Sequence, residues 1–275
     1  MLGSYRQDAT PVTTGDGVVS ATGIKYGSFD LQSANVTTTD TDIYSAPNNL
    51  VQADKIANAD GAVIVKQLYD SKTFTLNGIL HSDSILATDA LIDQFKAAMA
   101  MKNQPLDIDF NGMTRRYLAT AQNIVVSRNK GLSSAGFSVQ MLSPDGMGWD
   151  VMSSSLLIPT SVTTANAALA ITIGGSYNAE PLITYTVNTL TGTATNTVTV
   201  SNGTTLRGLW ITRAWTAGDH VEIDALKKTV FVNNVPTDFK GQFPKWDIGP
   251  GVISWLDDFS ARDATITASY TARYL

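Results

Sequence analysis

From Ala264 to Tyr274 every second residue is apolar: Ala264, Ile266, Ala268, Tyr270, Ala272 and Tyr274. A period of two sends successive side chains to opposite faces, which a β-strand does and a helix does not. The same period recurs at Phe74, Leu76 and Leu80, at Leu106, Ile108 and Phe110, at Leu169, Ile171 and Ile173, and at Ile183, Tyr185 and Val187. Shorter pairs follow at Leu209/Ile211, Val221/Ile223 and Val230/Val232. Asn111-Gly112, Gly174-Gly175, Asn202-Gly203, Gly218-Asp219 and Asn233-Asn234 punctuate the runs, and these residue types tolerate positive φ. Many short strands with one wet face predict a mainly β chain built as sandwiches or jelly rolls.

Three hairpins are expected. Ala62–Tyr69 runs into Thr73–Leu80; Leu106–Phe110 returns through Arg115, Tyr117 and Ala119; Ile124–Val126 turns at Asn129-Lys130-Gly131 toward Phe137, Val139 and Met141. One helix interrupts the pattern. Thr88 is a suitable N-cap with Asp89 behind it, and Leu91, Ile92, Phe95, Ala98 and Met99 form a stripe at three- and four-residue spacing. Pro105 ends it after Lys102. The stripe reads as a packing face. Pro144-Asp145-Gly146-Met147-Gly148 breaks the strands, which places a Gly- and Thr-rich arm at 1–22, one domain at 23–148, a Ser-rich linker at 149–158 and a second, helix-free domain at 159–275.

Chemistry is sparse. The chain has no cysteine, which excludes disulfides, thiolate metal sites and thiol nucleophiles. His81 and His220 stand apart, without zinc-ligand spacing. In Asp219-His220-Val221-Glu222-Ile223-Asp224 the apolar pair turns inward and His220, Glu222 and Asp224 outward, as on an ordinary wet strand. Asp40, Asp42, Asp54 and Asp60 lack calcium-loop order. Asp107 and Asp109 share a strand face, whereas a glycosidase sets its two carboxyls across a cleft. No nucleophile elbow, phosphate loop or dinucleotide fingerprint occurs. The expectation is a protein that is not an enzyme and uses no cofactor and no metal.

Net charge is −5, with Arg115-Arg116 and Lys227-Lys228 the densest basic spots, so tight nucleic-acid binding is not expected. No run approaches a bilayer-spanning length and Met1–Arg6 does not resemble a secretion signal, so the expectation is a soluble chain made in a cytoplasm. Charged residues are only 16% of the chain, either because it is Thr-rich β-protein or because neighbours cover its surface in an assembly. Trp210, Trp215, Trp246 and Trp255 all lie in the second domain, where an indole serves a core, a subunit interface or the stacking of a sugar ring.

Taken in order, these pieces resemble a family. Tyr69 with Phe74-Thr75-Leu76-Asn77-Gly78, the helix Leu91–Lys96, Pro105-Leu106-Asp107-Ile108, Arg116-Tyr117 and Leu142-Ser143-Pro144-Asp145 are similar to the first domain of siphophage distal tail (Dit) proteins. Ala217–Asp224, Lys228-Thr229-Val230, Asn233-Asn234, Gly241-Gln242-Phe243-Pro244, Gly249-Pro250-Gly251 and Arg273-Tyr274-Leu275 resemble its galectin-like second half. The resemblance implies an N-terminal β-sandwich or barrel-like domain carrying one helix, then a galectin-like jelly-roll β-sandwich. It implies a homohexameric ring at the tail tip of a virion, joining the tail tube to the tail-tip hub and to baseplate or receptor-binding proteins. DNA would pass through the lumen without specific binding, and no membrane anchoring is implied. Leu91, Ile92, Phe95 and Met99 would pack the helix in the ring, and the four Trp residues would meet a partner or a host glycan.

Overall fold

In a computed structural model of the chain, residues 23–56, 60–110, 112–128, 131–192 and 195–275 are described. The arm expected at 1–22 lies outside them, as do Asn111, Asn129 and Lys130 of the expected turns. The first half contains β1 (Gly23–Tyr26), β2 (Phe29–Asp30), β3 (Val36–Thr41), β4 (Asn49–Lys55), β5 (Ala62–Tyr69), β6 (Lys72–His81), α1 (Ile85–Met99), β7 (Gln104–Phe110), β8 (Met113–Ser127), β9 (Ser134–Ser143) and β10 (Gly148–Asp150). Its main sheet runs β2-β1-β7-β8-β9-β6-β3, with antiparallel neighbours throughout. One isolated bridge, Gln32 to Thr37, joins the two ends, and the sheet does not close into a barrel.

Alternation does what the sequence predicts on β6, where Phe74, Leu76 and Leu80 are buried. They meet Leu106, Ile108, Tyr117, Val139 and Met141 from the neighbouring strands. Two of the expected hairpins form, β7 with β8 across Gly112 at positive φ, and β8 with β9. The third does not. β5 pairs with β4, while β6 pairs with β9 and β3. Adjacency in sequence named the wrong partner, because β6 buries one face beside β9 and β5 buries neither.

The helix also begins earlier than Thr88. Ser84 is the cap: its backbone is extended and its hydroxyl accepts from the Ala87 N–H at 3.2 Å. Thr88 is buried one turn inside, donating to the Ser84 carbonyl at 2.9 Å and sharing a hydrogen bond with the Ser82 hydroxyl. Asp89 then falls past the first turn, where it pairs with Arg128. Ile92, Phe95 and Met99 enter the first core, each contributing roughly 1.5–3 kcal/mol by burial.

The second half contains β11 (Ser154–Val162), β12 (Asn166–Ile173), β13 (Leu182–Thr191), β14 (Asn196–Asn202), β15 (Gly208–Arg213), β16 (His220–Asp224), β17 (Thr229–Val232), β18 (Val235–Pro236), β19 (Lys240–Gly241), β20 (Gly249–Asp257), β21 (Ala261–Tyr270) and β22 (Arg273–Tyr274). Two sheets, β11-β21-β13-β16-β17-β18 and β12-β20-β14-β15-β19, send alternate residues into one core. This is a β-sandwich. Trp255 meets Tyr185 edge-to-face at 4.9 Å, and Trp215 lies against both Tyr185 and Phe259.

Residues 149–158, expected as a linker, are mostly strand. Gly148–Asp150 pairs with β8, and Ser154–Val162 pairs with β21, leaving only 151–153 between them. Serine reads as loop in sequence, but a strand edge satisfies the same backbone groups.

Candidate assembly surface

β4 and β5 form a two-stranded ribbon outside the main sheet. Their register sets Leu50 opposite Leu68 and Val51 opposite Gln67, with a bulge after Gln52. Alternation, shifted by the bulge, gives each face its own apolar set: Leu50, Val63 and Leu68 on one, Val51 and Ile64 on the other, with Val65 in the bulge. All six are between 49% and 62% exposed. A lone hairpin is marginal in water, and this one has branched side chains on both sides. Seven or eight residues per strand extend it about 25 Å.

The root of this arm is fixed. Asp70 donates its N–H to the Asn48 carbonyl at 2.9 Å. Gly146 packs beneath, where a Cβ would stand 2.2 Å from the Asp70 oxygen and 2.7 Å from the Pro47 ring. Lys72 is buried at the start of β6 and donates to the Ile43 carbonyl at 3.0 Å. Its ammonium lies 4.5 Å from the centre of the Phe74 ring and 5.4 Å from that of Tyr117. Burial lowers its pKa to about 8, opposed by the charge of Asp42 and helped by that of Arg115. Above the root, Tyr69 meets Tyr177 of the second half edge-to-face at 5.8 Å.

The residues singled out in the sequence sit elsewhere. Ile92, Phe95 and Met99 are buried and Leu91 partly so, all against the chain's own core. The stripe is therefore not the face α1 turns to a neighbour; its free side carries Leu86, Asp93 and Lys96. Trp215, Trp246 and Trp255 are buried, their indole N–H groups donating to Asn196, Val252 and Asp257. None of the three shows a ring face to a sugar. Trp210 is 41% exposed, and its other face covers Gly241, where a Cβ would stand 2.2 Å from the ring.

The acidic residues are tied into structure. Asp107 takes two 2.7 Å hydrogen bonds from Arg116, and its carboxylate raises the pKa of that guanidinium. Asp109 accepts from the Gly112 N–H at 3.1 Å. Asp224, expected outward, is buried because it holds the turn after β16, accepting from the Leu226 and Lys227 N–H groups. Burial pushes its pKa up, but those bonds and the Lys227 charge bring it below the usual carboxylate range. Asp219 behaves alike, held by Thr216, Asn233 and Arg213. His220 is exposed and bonds Thr186 at 3.0 Å. Among the described residues no group of three or more His, Asp or Glu is placed to hold a metal ion, and no helix is long and apolar enough to cross a membrane.

Residues 174–274 match the siphovirus-type tail component, C-terminal domain. Over those residues the chain is similar to a phage tail component domain. No curated protein matches the chain. Among solved structures, the SPP1 Dit protein, described as a paradigm of the hub adsorption apparatus of phages infecting Gram-positive bacteria, aligns at a TM-score of 0.64 and 13% identity. The alignment covers 92% of this chain and 99% of that one. A chain of the phage P2 baseplate in its activated conformation aligns at a TM-score of 0.42 and 8% identity, over 90% of this chain and 97% of that one. The resemblance to siphophage distal tail proteins thus holds by sequence in the tail component domain and by fold across both cores. The arm is what sequence reasoning missed. Its signal was Ala62-Val63-Ile64-Val65, a run that is apolar on both faces and suits either a buried strand or one covered by a partner.

Proposed function

We propose that the chain is a non-enzymatic structural protein of the phage tail tip, with residues 23–148 building a self-assembled ring and residues 159–275 facing outward. The observation that carries this reading is the β4–β5 arm, whose two apolar faces have no cover among the described residues. A second copy is the fitting cover: each copy would give one arm and receive one, a head-to-tail contact that closes into a ring. Six is the number proposed, in keeping with what the resemblance implies. The resemblance also supplies the neighbours: the tail tube on one side, the tail-tip hub on the other, and baseplate or receptor-binding proteins held by the outer domain. The net charge of −5 suits a lumen that DNA crosses without being held.

The test is mass by light scattering together with negative-stain microscopy. Six-subunit rings are expected from the full chain and single subunits from a chain whose residues 49–69 are replaced by a short turn. A full chain that stays monomeric at high concentration and never joins tails would refute the proposal.

A second reading rests on Trp210. Its indole is 41% exposed on a strand opposite Thr199, and an open aromatic face is a surface on which a pyranose ring can stack. A glycan array probed with the full chain and with Trp210→Ala tests it. Binding lost in the variant supports a host-glycan site, and a silent array removes it.

A further inference from the structure

The last three residues cross back from the second core to the first sheet. β21 belongs to the sandwich, yet β22, two residues later, pairs with β10, setting Gly148 beside Tyr274 and Trp149 beside Arg273. β10 in turn pairs with β8, so the chain's end extends the first sheet. The Asp150 N–H donates to the Ala272 carbonyl at 2.9 Å. The Ser176 N–H donates to the Arg273 carbonyl, and the Leu275 N–H to the Ser176 hydroxyl at 2.7 Å.

Side chains lock this crossing from both sides. One nitrogen of the Arg273 guanidinium donates to both Asp145 oxygens, at 2.9 and 2.7 Å. Trp149 donates to the same carboxylate at 3.1 Å, and its ring centre lies 4.3 Å from the guanidinium carbon. Tyr177 flanks Arg273 at 5.2 Å. Reciprocally, Arg115 of β8 sits 4.4 Å from the Phe110 ring and 4.5 Å from that of Tyr274. The two apolar clusters share no residue, so this junction joins them by charge and ring contacts and not by a common core. It is also incompletely satisfied. The Nε atoms of Arg273 and Arg115 are both buried without a hydrogen-bond partner, a cost that weakens the closed state relative to an open one in which water reaches them.

We propose that residues 273–275 form a releasable latch, holding the sandwich at one angle to the first sheet and, once let go, freeing it to swing while both cores stay folded. The chain has no cysteine, so Gln94→Cys on α1 and Asn166→Cys on β12, both exposed, can carry a spin-label pair in the full chain. Closed, the pair should give one narrow distance distribution. Arg273→Ala and Asp145→Ala should each broaden it while the melting of both cores is retained. Exchanging the charges, Arg273→Asp with Asp145→Arg, should restore part of the narrow peak. Distributions that stay narrow in both single variants overturn the latch. So does unfolding of Asp145→Ala, because its side chain is 42% exposed and would then be supporting a core.

Discussion

Lys72 sits buried at the root of the arm, bonded to the Ile43 carbonyl and over the Phe74 ring, and its proton reports on that position. The unfolded chain keeps the proton up to pH 10.5, whereas the folded chain releases it near 8. Between those values unfolding takes up a proton, so raising the pH favours the folded state, by on the order of 3 kcal/mol at the top of the window. Above pH 10 the trend reverses, because burial raises the pKa of Tyr26, Tyr117, Tyr185 and Tyr274, and the unfolded chain loses those protons first. Urea midpoints taken from pH 7 to pH 10 should therefore rise in the native chain and stay flatter in Lys72→Met. Equal slopes would show that the ammonium is better solvated than its 5% exposure implies. Gly78 makes a steric prediction beside this electrostatic one. A Cβ there would stand 2.3 Å from the Thr37 carbonyl oxygen and 2.5 Å from the Phe137 ring. Gly78→Ala should destabilise the first core by about 1–3 kcal/mol or more, read by its denaturation midpoint, without moving the second.

Elements were legible where one face is wet and opaque where pairing is distant. β6, β7, β13 and β21 announce themselves by strict alternation, and their inward residues are those the pattern names. The helix was legible by its stripe, but its start was not: Ser84 and Thr88 are both capable caps, and only the fold shows Thr88 bonding backward. β11 hides behind serine, and β20 behind Gly249-Pro250-Gly251, which reads as a turn until β12 lies alongside it. Burial was legible only as a class. Four Trp residues look alike in sequence, and only the fold separates Trp210, at an outward strand position, from the buried Trp255 on β20 and the buried Trp215 and Trp246 between strands. The arm was the hardest, since an apolar run does not say whether its own chain covers it. That question has a direct measurement. Val63→Asp with Ile64→Asp puts one charge on each face of the arm, touching no buried residue. Folding should change by no more than about 0.5 kcal/mol per site, while sedimentation should show assembly shifted toward single subunits. Unchanged assembly would move the interface off the arm.

At the scale of the whole molecule, two separate cores and one latch imply two separable stabilities. The first core gains whatever free energy the arm gains when a neighbour covers it, and that gain follows mass action. The sandwich gains from assembly through the latch and through the Tyr69–Tyr177 contact, where the two halves meet. Calorimetry of the full chain across a range of concentrations should then show the unfolding of the first core moving to higher temperature as concentration rises. With the latch intact, part of that shift is passed to the sandwich. In Arg273→Ala the sandwich transition should respond more weakly to concentration while the first core still responds in full. Intrinsic fluorescence assigns the transitions, because Trp215, Trp246 and Trp255 are buried in the sandwich and the first core contains no Trp. A sandwich that follows concentration equally in both chains would mean that it touches the neighbouring copy itself, and the ring would then be built by both halves.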